Sequence, residues 1–510
     1  MKRLITIVLC VLPISLMAQT ASIRIDNERV IGDIDPNIYG VFMEPIGRST
    51  EIPVRNSLYG TLYDPSSPLA NEDGFKTNYL EAMQELRITN MRWPGGNYVS
   101  GYNWKDGIGP KEQRPMRKDL AWGGYDPNFV GTDEWVKLNK AIGSENVICI
   151  NLGLGDINDA RYWIEYTNVK SGTYFSDLRV KYGNPEPYNV KYWCLGNEVD
   201  GSPWILGYKN AEDYCKIGLE AAKALKAVDS SIKLVAGGSS YYESTGIWID
   251  WNRKIITAFS GVADYLSIHR YWHEGISDEN RRNDYYSYMG ESAMDFEEKI
   301  TTPLAQVNVI KALYPQKKPL YLSVDEWSAS GGNIRSVLAN AMCLNSFIRH
   351  ADFVKMANFT MMTSLLANDF VKGTTYQSPL FYAFKLFTTN CRGKSLDTYV
   401  QCDTFSVGRF SNIPYLDVTS VYSEEGKTIY INVVNRHKDK AITTEITNSG
   451  AAQFTGKAHI SSIEGSLDEV YSSDKQSEYA PKEKETDIKN NKITYSFPPH
   501  SLTQIEVKVK

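Results

Sequence analysis

Two glutamates stand where a pair of carboxyl groups could share one reaction. Glu198 closes the segment Trp193-Cys194-Leu195-Gly196-Asn197-Glu198, an apolar run followed by a glycine and an amide. Glu326 closes Tyr321-Leu322-Ser323-Val324-Asp325-Glu326, an apolar run followed by a second acid. Paired carboxyls of this kind cleave glycosidic bonds: one protonates the leaving oxygen, and the other attacks the anomeric carbon or activates water. The proton donor needs a pKa above the usual carboxylate range, so Glu198 and Glu326 need different surroundings. Other polar side chains end similar runs: Glu44, Arg92, Asn97, Asn197, His269, Tyr271 and Asp325. Neither a CxxC motif nor a Cys/His metal spacing is present, and two carboxyls and water suffice, so no metal or organic cofactor is expected.

The elements that must position these residues alternate along the chain. Eight short apolar or β-branched runs recur: Tyr39–Glu44, Ile88–Trp93, Val147–Leu152, Val190–Leu195, Lys233–Ala236, Tyr265–His269, Leu320–Val324 and Lys355–Thr363. Helical patterns lie between or after them at 77–87, 211–228, 293–314, 334–350 and 377–388. Near-continuous apolar strands alternating with amphipathic helices predict a parallel sheet, and eight such units predict a closed (β/α)8 TIM barrel of the α/β class. A doubly wound sheet fits less well, because the first run leads into Pro45-Ile46-Gly47-Arg48 and no glycine-rich phosphate turn follows it. Catalytic groups of such barrels sit at the C-terminal strand ends, and the fourth and seventh strands face each other across the mouth.

From about residue 392 the pattern becomes Leu416–Tyr422, Thr428–Val434, Ala441–Ile446 and Leu502–Val509, short strands between Gly, Asn, Asp and Lys turns. This predicts a C-terminal antiparallel β-sandwich, with the alternating run Ala21–Val30 pairing into it. The expected organisation is an N-terminal strand over 19–32, the barrel over 33–391 and the sandwich over 392–510. The Lys/Glu/Ser-rich stretch 472–491 reads as a solvated loop or mobile insert. Two loops rich in aromatic residues, 98–125 and Tyr271–Tyr288, are candidates to line the cleft.

Lys2 and Arg3, the apolar residues 4–17 and Ala18 read as a secretory signal peptide, predicting an exported protein, periplasmic or extracellular. Its removal takes two positive charges from a chain of net charge −5. A mildly acidic chain excludes nucleic acid and anionic membranes as natural partners. The 33 Tyr and 11 Trp suit a carbohydrate cleft, and they suit a large core equally well. Six cysteines remain beyond Cys10; Cys149 and Cys194 read as buried strand residues, and Cys391 and Cys402 as a candidate disulfide.

Asn197-Glu198 on the fourth strand and Glu326 on the seventh resemble the retaining glycosidases built on (β/α)8 barrels. More narrowly, the chain resembles glycoside hydrolase family 51, the α-L-arabinofuranosidases. The resemblance rests on Tyr39-Gly40-Val41-Phe42-Met43-Glu44, Met91-Arg92-Trp93-Pro94-Gly95-Gly96-Asn97, Leu195-Gly196-Asn197-Glu198-Val199-Asp200-Gly201, Ser267-Ile268-His269-Arg270-Tyr271 and Val324-Asp325-Glu326-Trp327. The run from Arg92 to Asn97 is the most family-specific.

The resemblance implies a retaining, exo-acting α-L-arabinofuranosidase that removes non-reducing-end arabinofuranose from arabinan or arabinoxylan, plant cell-wall glycans. In it Glu198 is the acid/base and Glu326 the nucleophile. Glu44, Arg92, Asn97 and Asn197 hold sugar hydroxyls or orient carboxylates, and His269 and Tyr271 position the catalytic pair. An endo-β-glycanase on glucan or xylan, or a noncatalytic carbohydrate-binding protein, are the alternatives, and a homo-oligomer stays open. Two positions depart from the family: Met361 stands where a sugar-binding glutamine is expected, and Ser330 where a tryptophan often stands.

Overall fold

A computed structural model describes residues 21–201, 205–242, 247–369 and 371–510. The chain opens with β1 (Ala21–Asp33). Eight parallel strands then close into a barrel. They are β2 (Gly40–Phe42), β3 (Asn90–Trp93), β4 (Glu145–Cys149), β5 (Tyr192–Leu195), β6 (Lys233–Gly237), β7 (Tyr265–Tyr271), β8 (Tyr321–Ser328) and β9 (Val354–Thr360). Each of the eight apolar runs supplies one strand. Apart from the polar residues toward their C-terminal ends they are largely apolar, because helices cover the outside while side chains fill the inside. Val147, Cys149, Tyr192, Cys194, Val235, Tyr265 and Met356 form that inner filling, and Cys149 and Cys194 act in it as small apolar residues.

Helices form where five were expected: Thr77–Glu85, Ala211–Val228, Ser292–Leu313, Ile334–Arg349 and Pro379–Asn390. The Asn210 side chain accepts from the Asp213 N–H and so caps the start of Ala211–Val228. Four further helices, Thr132–Ile142, Ile157–Asn168, Tyr174–Lys181 and Ile247–Phe259, complete the outer ring. Aromatic and β-branched residues such as Tyr162, Trp163 and Ile164 blur their helical period. No described helix is long and apolar enough to cross a membrane.

The C-terminal part is a β-sandwich. Its strands are β10 (Lys394–Gln401), β11 (Leu416–Ser423), β12 (Thr428–Asn435), β13 (Ile442–Asn448), β14 (Phe454–Ile463), β15 (Lys482–Asp487), β16 (Lys492–Phe497) and β17 (Ser501–Val509). The order along the hydrogen-bonded sheet is β15-β14-β17-β12-β11-β10-β1-β13-β16. All pairs are antiparallel except β1 with β13, so the N-terminal strand is built into the C-terminal sheet. Ile23, Ile25, Ile429, Ile431, Val433, Ile493 and Ile505 make its separate core.

Two expectations are corrected here. The stretch 472–491 is ordered: a 3-10 turn covers Ser473–Glu478, and β15 pairs with β14 from Lys457 to Ser462. The residues of β15 are nearly all exposed because the strand lies at the sheet edge, where charged side chains are favoured. Cys391 and Cys402 do not pair; all six described cysteines are free. The extended strand β10 separates them beyond disulfide reach, and the buried Cys391 sulfur instead accepts from Asn432 Nδ2 at 3.2 Å.

Candidate active site

Three local devices bring the polar strand ends together. The first is the Gly95-Gly96 pair after β3. Gly95 has φ 149°, and a Cβ there would meet Glu44 Cγ at 2.8 Å. A Cβ on Gly96 would meet Glu44 Oε2 at 2.2 Å. The glycines therefore let the backbone close over the Glu44 side chain, and Tyr98 N–H donates to Glu44 Oε1 at 2.7 Å.

The second device is the turn after β5, where Gly196 takes φ 87° and Glu198 itself takes φ 45°. A left-handed backbone at a residue with a side chain costs on the order of 1–3 kcal/mol and recurs at functional sites. Here it turns the Glu198 carboxyl toward His269.

The third is a bulge in β8. Val324 faces Ile268 on β7, but the next partner of His269 is Glu326, leaving Asp325 as an extra residue. Consecutive residues of a regular strand point to opposite faces, whereas this bulge lets both acids reach the mouth.

The resulting network is almost entirely buried. Arg92 has no exposed side-chain surface; its Nη1 donates to Glu326 Oε1 at 2.9 Å and its Nη2 to Asn197 Oδ1 at 2.6 Å. Its Nε faces Asp325 Oδ2 at 3.3 Å, and its guanidinium lies over the Phe42 ring. Tyr271 donates to the other oxygen of Glu326 at 2.7 Å. His269 Nδ1 is 2.9 Å from Glu198 Oε1 and 3.6 Å from Glu326 Oε1, and its Nε2 is 3.5 Å from Asp325 Oδ1. Ser267 Oγ donates to Asp325 Oδ1.

Charge follows from this arrangement. Burial disfavours a charged His269 ring, but Glu326, Asp325 and Glu198 outweigh it and hold its pKa well above the usual histidine range. Burial also opposes the charge on Asp325, yet Arg92, His269 and Ser267 keep its pKa below the usual range. Burial raises Glu198, with Glu326 adding to the shift and the His269 hydrogen bond opposing it. Arg92 and His269 thus both face Asp325 and Glu326, and Glu198 shares His269 with them. Burial and the neighbouring Glu326 push Glu44 up to about 8 against the Tyr98 N–H.

Among the described residues, Asn197 Nδ2 and Arg92 Nε in this network have no hydrogen-bond partner, although Arg92 Nε faces Asp325, and Asn97 Oδ1 in the turn after β3 has none either. Because Asn197 Oδ1 accepts from Arg92, Nδ2 is the free end of its amide. Buried unpartnered atoms are rare and call for a ligand group or water. One donor atom each from Glu198, His269 and Glu326 lies within 4.8 Å of the others. That trio could ligate a cation, but the Arg92 guanidinium already occupies Glu326 Oε1 and His269 occupies Glu198 Oε1.

Seven of the eight candidate residues, Glu44, Arg92, Asn197, Glu198, His269, Tyr271 and Glu326, therefore meet at the C-terminal end of the barrel, while Asn97 opens the 3-10 turn after β3 and is hydrogen-bonded to none of them. Sequence reasoning missed the supporting roles of Ser267 and Trp122. Ser267 lies two residues before His269 on one strand, a spacing that puts both on the same face. Trp122, from the loop 98–125, donates its indole N–H to Glu44 Oε1 at 3.1 Å. The stretch Tyr271–Tyr288 contributes Tyr271 to the mouth, while Tyr286 packs on Phe405 and Tyr415 of the C-terminal part. Most of the tryptophans are core residues: Trp93, Trp135, Trp163, Trp193, Trp272 and Trp327 are fully buried. Met361 follows β9 directly and is 9% exposed.

A closed (β/α)8 barrel with two glutamates across its mouth defines a glycoside hydrolase. Residues 82–288 match the family model "Alpha-L-arabinofuranosidase 1 domain", and residues 325–501 match "Alpha-L-arabinofuranosidase C-terminal domain". A Bacillus subtilis protein named intracellular exo-α-(1→5)-L-arabinofuranosidase 1 is 34% identical over 96% of this chain and 99% of its own length. A Halalkalibacterium halodurans protein named intracellular exo-α-(1→5)-L-arabinofuranosidase is 35% identical over 84% of this chain and 87% of its own. The crystal structure of a Thermotoga maritima α-L-arabinofuranosidase in an arabinose complex superposes with TM-score 0.84 at 30% identity, covering 96% of this chain and 100% of that one. The chain belongs to the α-L-arabinofuranosidases of glycoside hydrolase family 51. The expectation of export is overturned by the bacterial relatives, which are named intracellular. The leader-like residues 1–18 on which it rested lie outside the described residues.

Proposed function

We propose that the protein is a retaining, exo-acting α-L-arabinofuranosidase in which Glu198 is the acid/base and Glu326 the nucleophile. In the first step Glu198 gives its proton to the glycosidic oxygen while a Glu326 oxygen attacks the anomeric carbon. The aglycone leaves and arabinofuranose is held as an ester on Glu326. In the second step Glu198 takes a proton from water, which attacks the same carbon and releases arabinose with its configuration retained. Arg92 and Tyr271 orient the two Glu326 oxygens, and Asn197 Nδ2 offers a hydrogen bond to a sugar hydroxyl beside the reacting carbon. Such a contact strengthens as positive charge builds on the ring.

The observation that carries this reading is the spacing and unequal environment of the two acids. Oxygens of Glu198 and Glu326 lie within 4.8 Å, in line with the carboxyl separation of roughly 5–5.5 Å that direct attack requires, rather than the roughly 6.5–9.5 Å that leaves room for water. Arabinose-containing glycans are the substrate class, in keeping with the names of the relatives and the arabinose in the Thermotoga maritima structure.

The test is hydrolysis of an aryl α-L-arabinofuranoside by the wild type and by Glu326→Ala, with the released anomer followed by NMR. Turnover with retained configuration, lowered at least about 10³-fold in the variant, is expected. An inverted first product overturns the nucleophile assignment. Release of oligosaccharides instead of single sugars from arabinan overturns the exo assignment.

A further inference from the structure

The barrel and the sandwich together line a cavity of about 300 Å³ whose lining includes none of the catalytic residues. Its apolar wall includes Trp272, Phe296, Met342, Leu416 and Val418. Its charged lining comprises Arg436, in the loop that follows β12, together with Arg349, Glu297 and Asp417.

Arg436 is 5% exposed, yet among the described residues it forms no ion pair. A guanidinium carries five N–H donors. Among the described residues only Nη2 has a hydrogen-bond acceptor, the Pro414 carbonyl at 2.6 Å. Nε is buried with no partner at all. Nor are the nearby carboxylates free to serve it. Asp417 is taken by Arg349 Nη2 and by Asn345 Nδ2 at 3.3 Å. Glu297 is taken by Arg349 Nη1 at 3.1 Å, by Ser346 and by His350. Burial opposes charge on Glu297, but Arg349 and His350 overcome it and bring its pKa down to about 2. Arg436 is held below the usual arginine range by burial, with Asp417 opposing and Arg349 adding to the shift. A buried cation facing an open cavity without a counterion is costly unless an anion completes it.

We infer that this cavity is a binding site for a small organic carboxylate with an apolar body, held by Arg436 and by the Trp272–Phe296–Val418 wall along its length. A guanidinium matches a planar carboxylate with paired N–H bonds. The apolar wall favours a ring or branched chain over a hydrated inorganic ion.

Calorimetric titration of the full chain tests this with benzoate, its neutral isostere benzamide, and inorganic phosphate. Benzoate is expected to bind one site per chain. Benzamide and phosphate are expected to bind at least tenfold more weakly. Arg436→Met, and independently Val400→Trp, which fills the cavity from its partly exposed rim, are each expected to weaken benzoate at least tenfold. Both leave the barrel mouth untouched, so hydrolysis of the aryl arabinofuranoside reports that they are folded. Absence of benzoate binding, equal binding of benzamide, tighter binding of phosphate, or full benzoate affinity in either folded variant overturns the inference.

Discussion

Arg92 and Arg436 are both buried arginines, and they stand in opposite electrostatic settings. At the barrel mouth Arg92 has Glu326, Asp325 and Asn197 around it, and its charge is part of a balanced set with His269. At the junction of barrel and sandwich Arg436 has one backbone carbonyl and an open cavity. The difference teaches that burial alone does not say what a charge is for. A charge with its partners in place fixes other groups, here Glu326, the proposed nucleophile. A charge without them is a site waiting for its partner.

The largest effect separating the two settings is expected on stability. Arg92→Met leaves Asp325 and Glu326 buried without their cation, and a loss of about 3–5 kcal/mol is expected in denaturant unfolding. A loss below about 1 kcal/mol would show that the mouth does not depend on this ion pair, and the comparison would break there.

Proton linkage sharpens the picture at the mouth. Glu44 is raised to about 8 when folded, from an ordinary value near 4.5. The folded protein therefore binds more protons than the unfolded chain between these values. The stability Glu44 contributes is present in full below about 4.5 and is lost as pH rises toward 8. Glu44→Gln is expected to flatten the decline in stability across pH 5–8, by up to about 1.4 kcal/mol per pH unit. Parallel pH profiles of wild type and variant would remove Glu44 from the set of neutral acids.

The smallest effect belongs to Arg436→Met. Removing a buried charge that lacks a counterion is expected to change unfolding free energy by less than about 1 kcal/mol, or to stabilise the chain. Destabilisation as large as that of Arg92→Met would mean that Arg436 is as fully compensated as Arg92.

Much of this molecule was legible from its residues. The eight barrel strands could be located because each is a short apolar run, and side chains pointing both ways along it meet apolar surroundings. Glu198 and Glu326 stood out because each ends such a run. The strands Lys394–Gln401 and Lys482–Asp487 were hidden because their sequences, KSLDTYVQ and KEKETD, carry little apolar alternation. Their pairing partners, not their composition, make them strands. The reading of Cys391 with Cys402 failed for a related reason: closeness in sequence says little once an extended strand intervenes.

By itself the sequence determined the kinds of groups available and the order in which strand ends present them: two glutamates on opposite strands, an arginine and asparagines beside them, glycines after Trp93 where a side chain would strike Glu44. Only the tertiary structure decided which way they face. The bulge at Asp325 lets two consecutive acids reach the mouth, the left-handed turn at Glu198 aims its carboxyl at His269, and Arg92 dictates which end of the Asn197 amide is free. These are properties of register, backbone dihedrals and hydrogen-bond partners drawn from distant segments. The same holds for Arg436, whose lack of a partner is set by how two separately recognisable halves pack together.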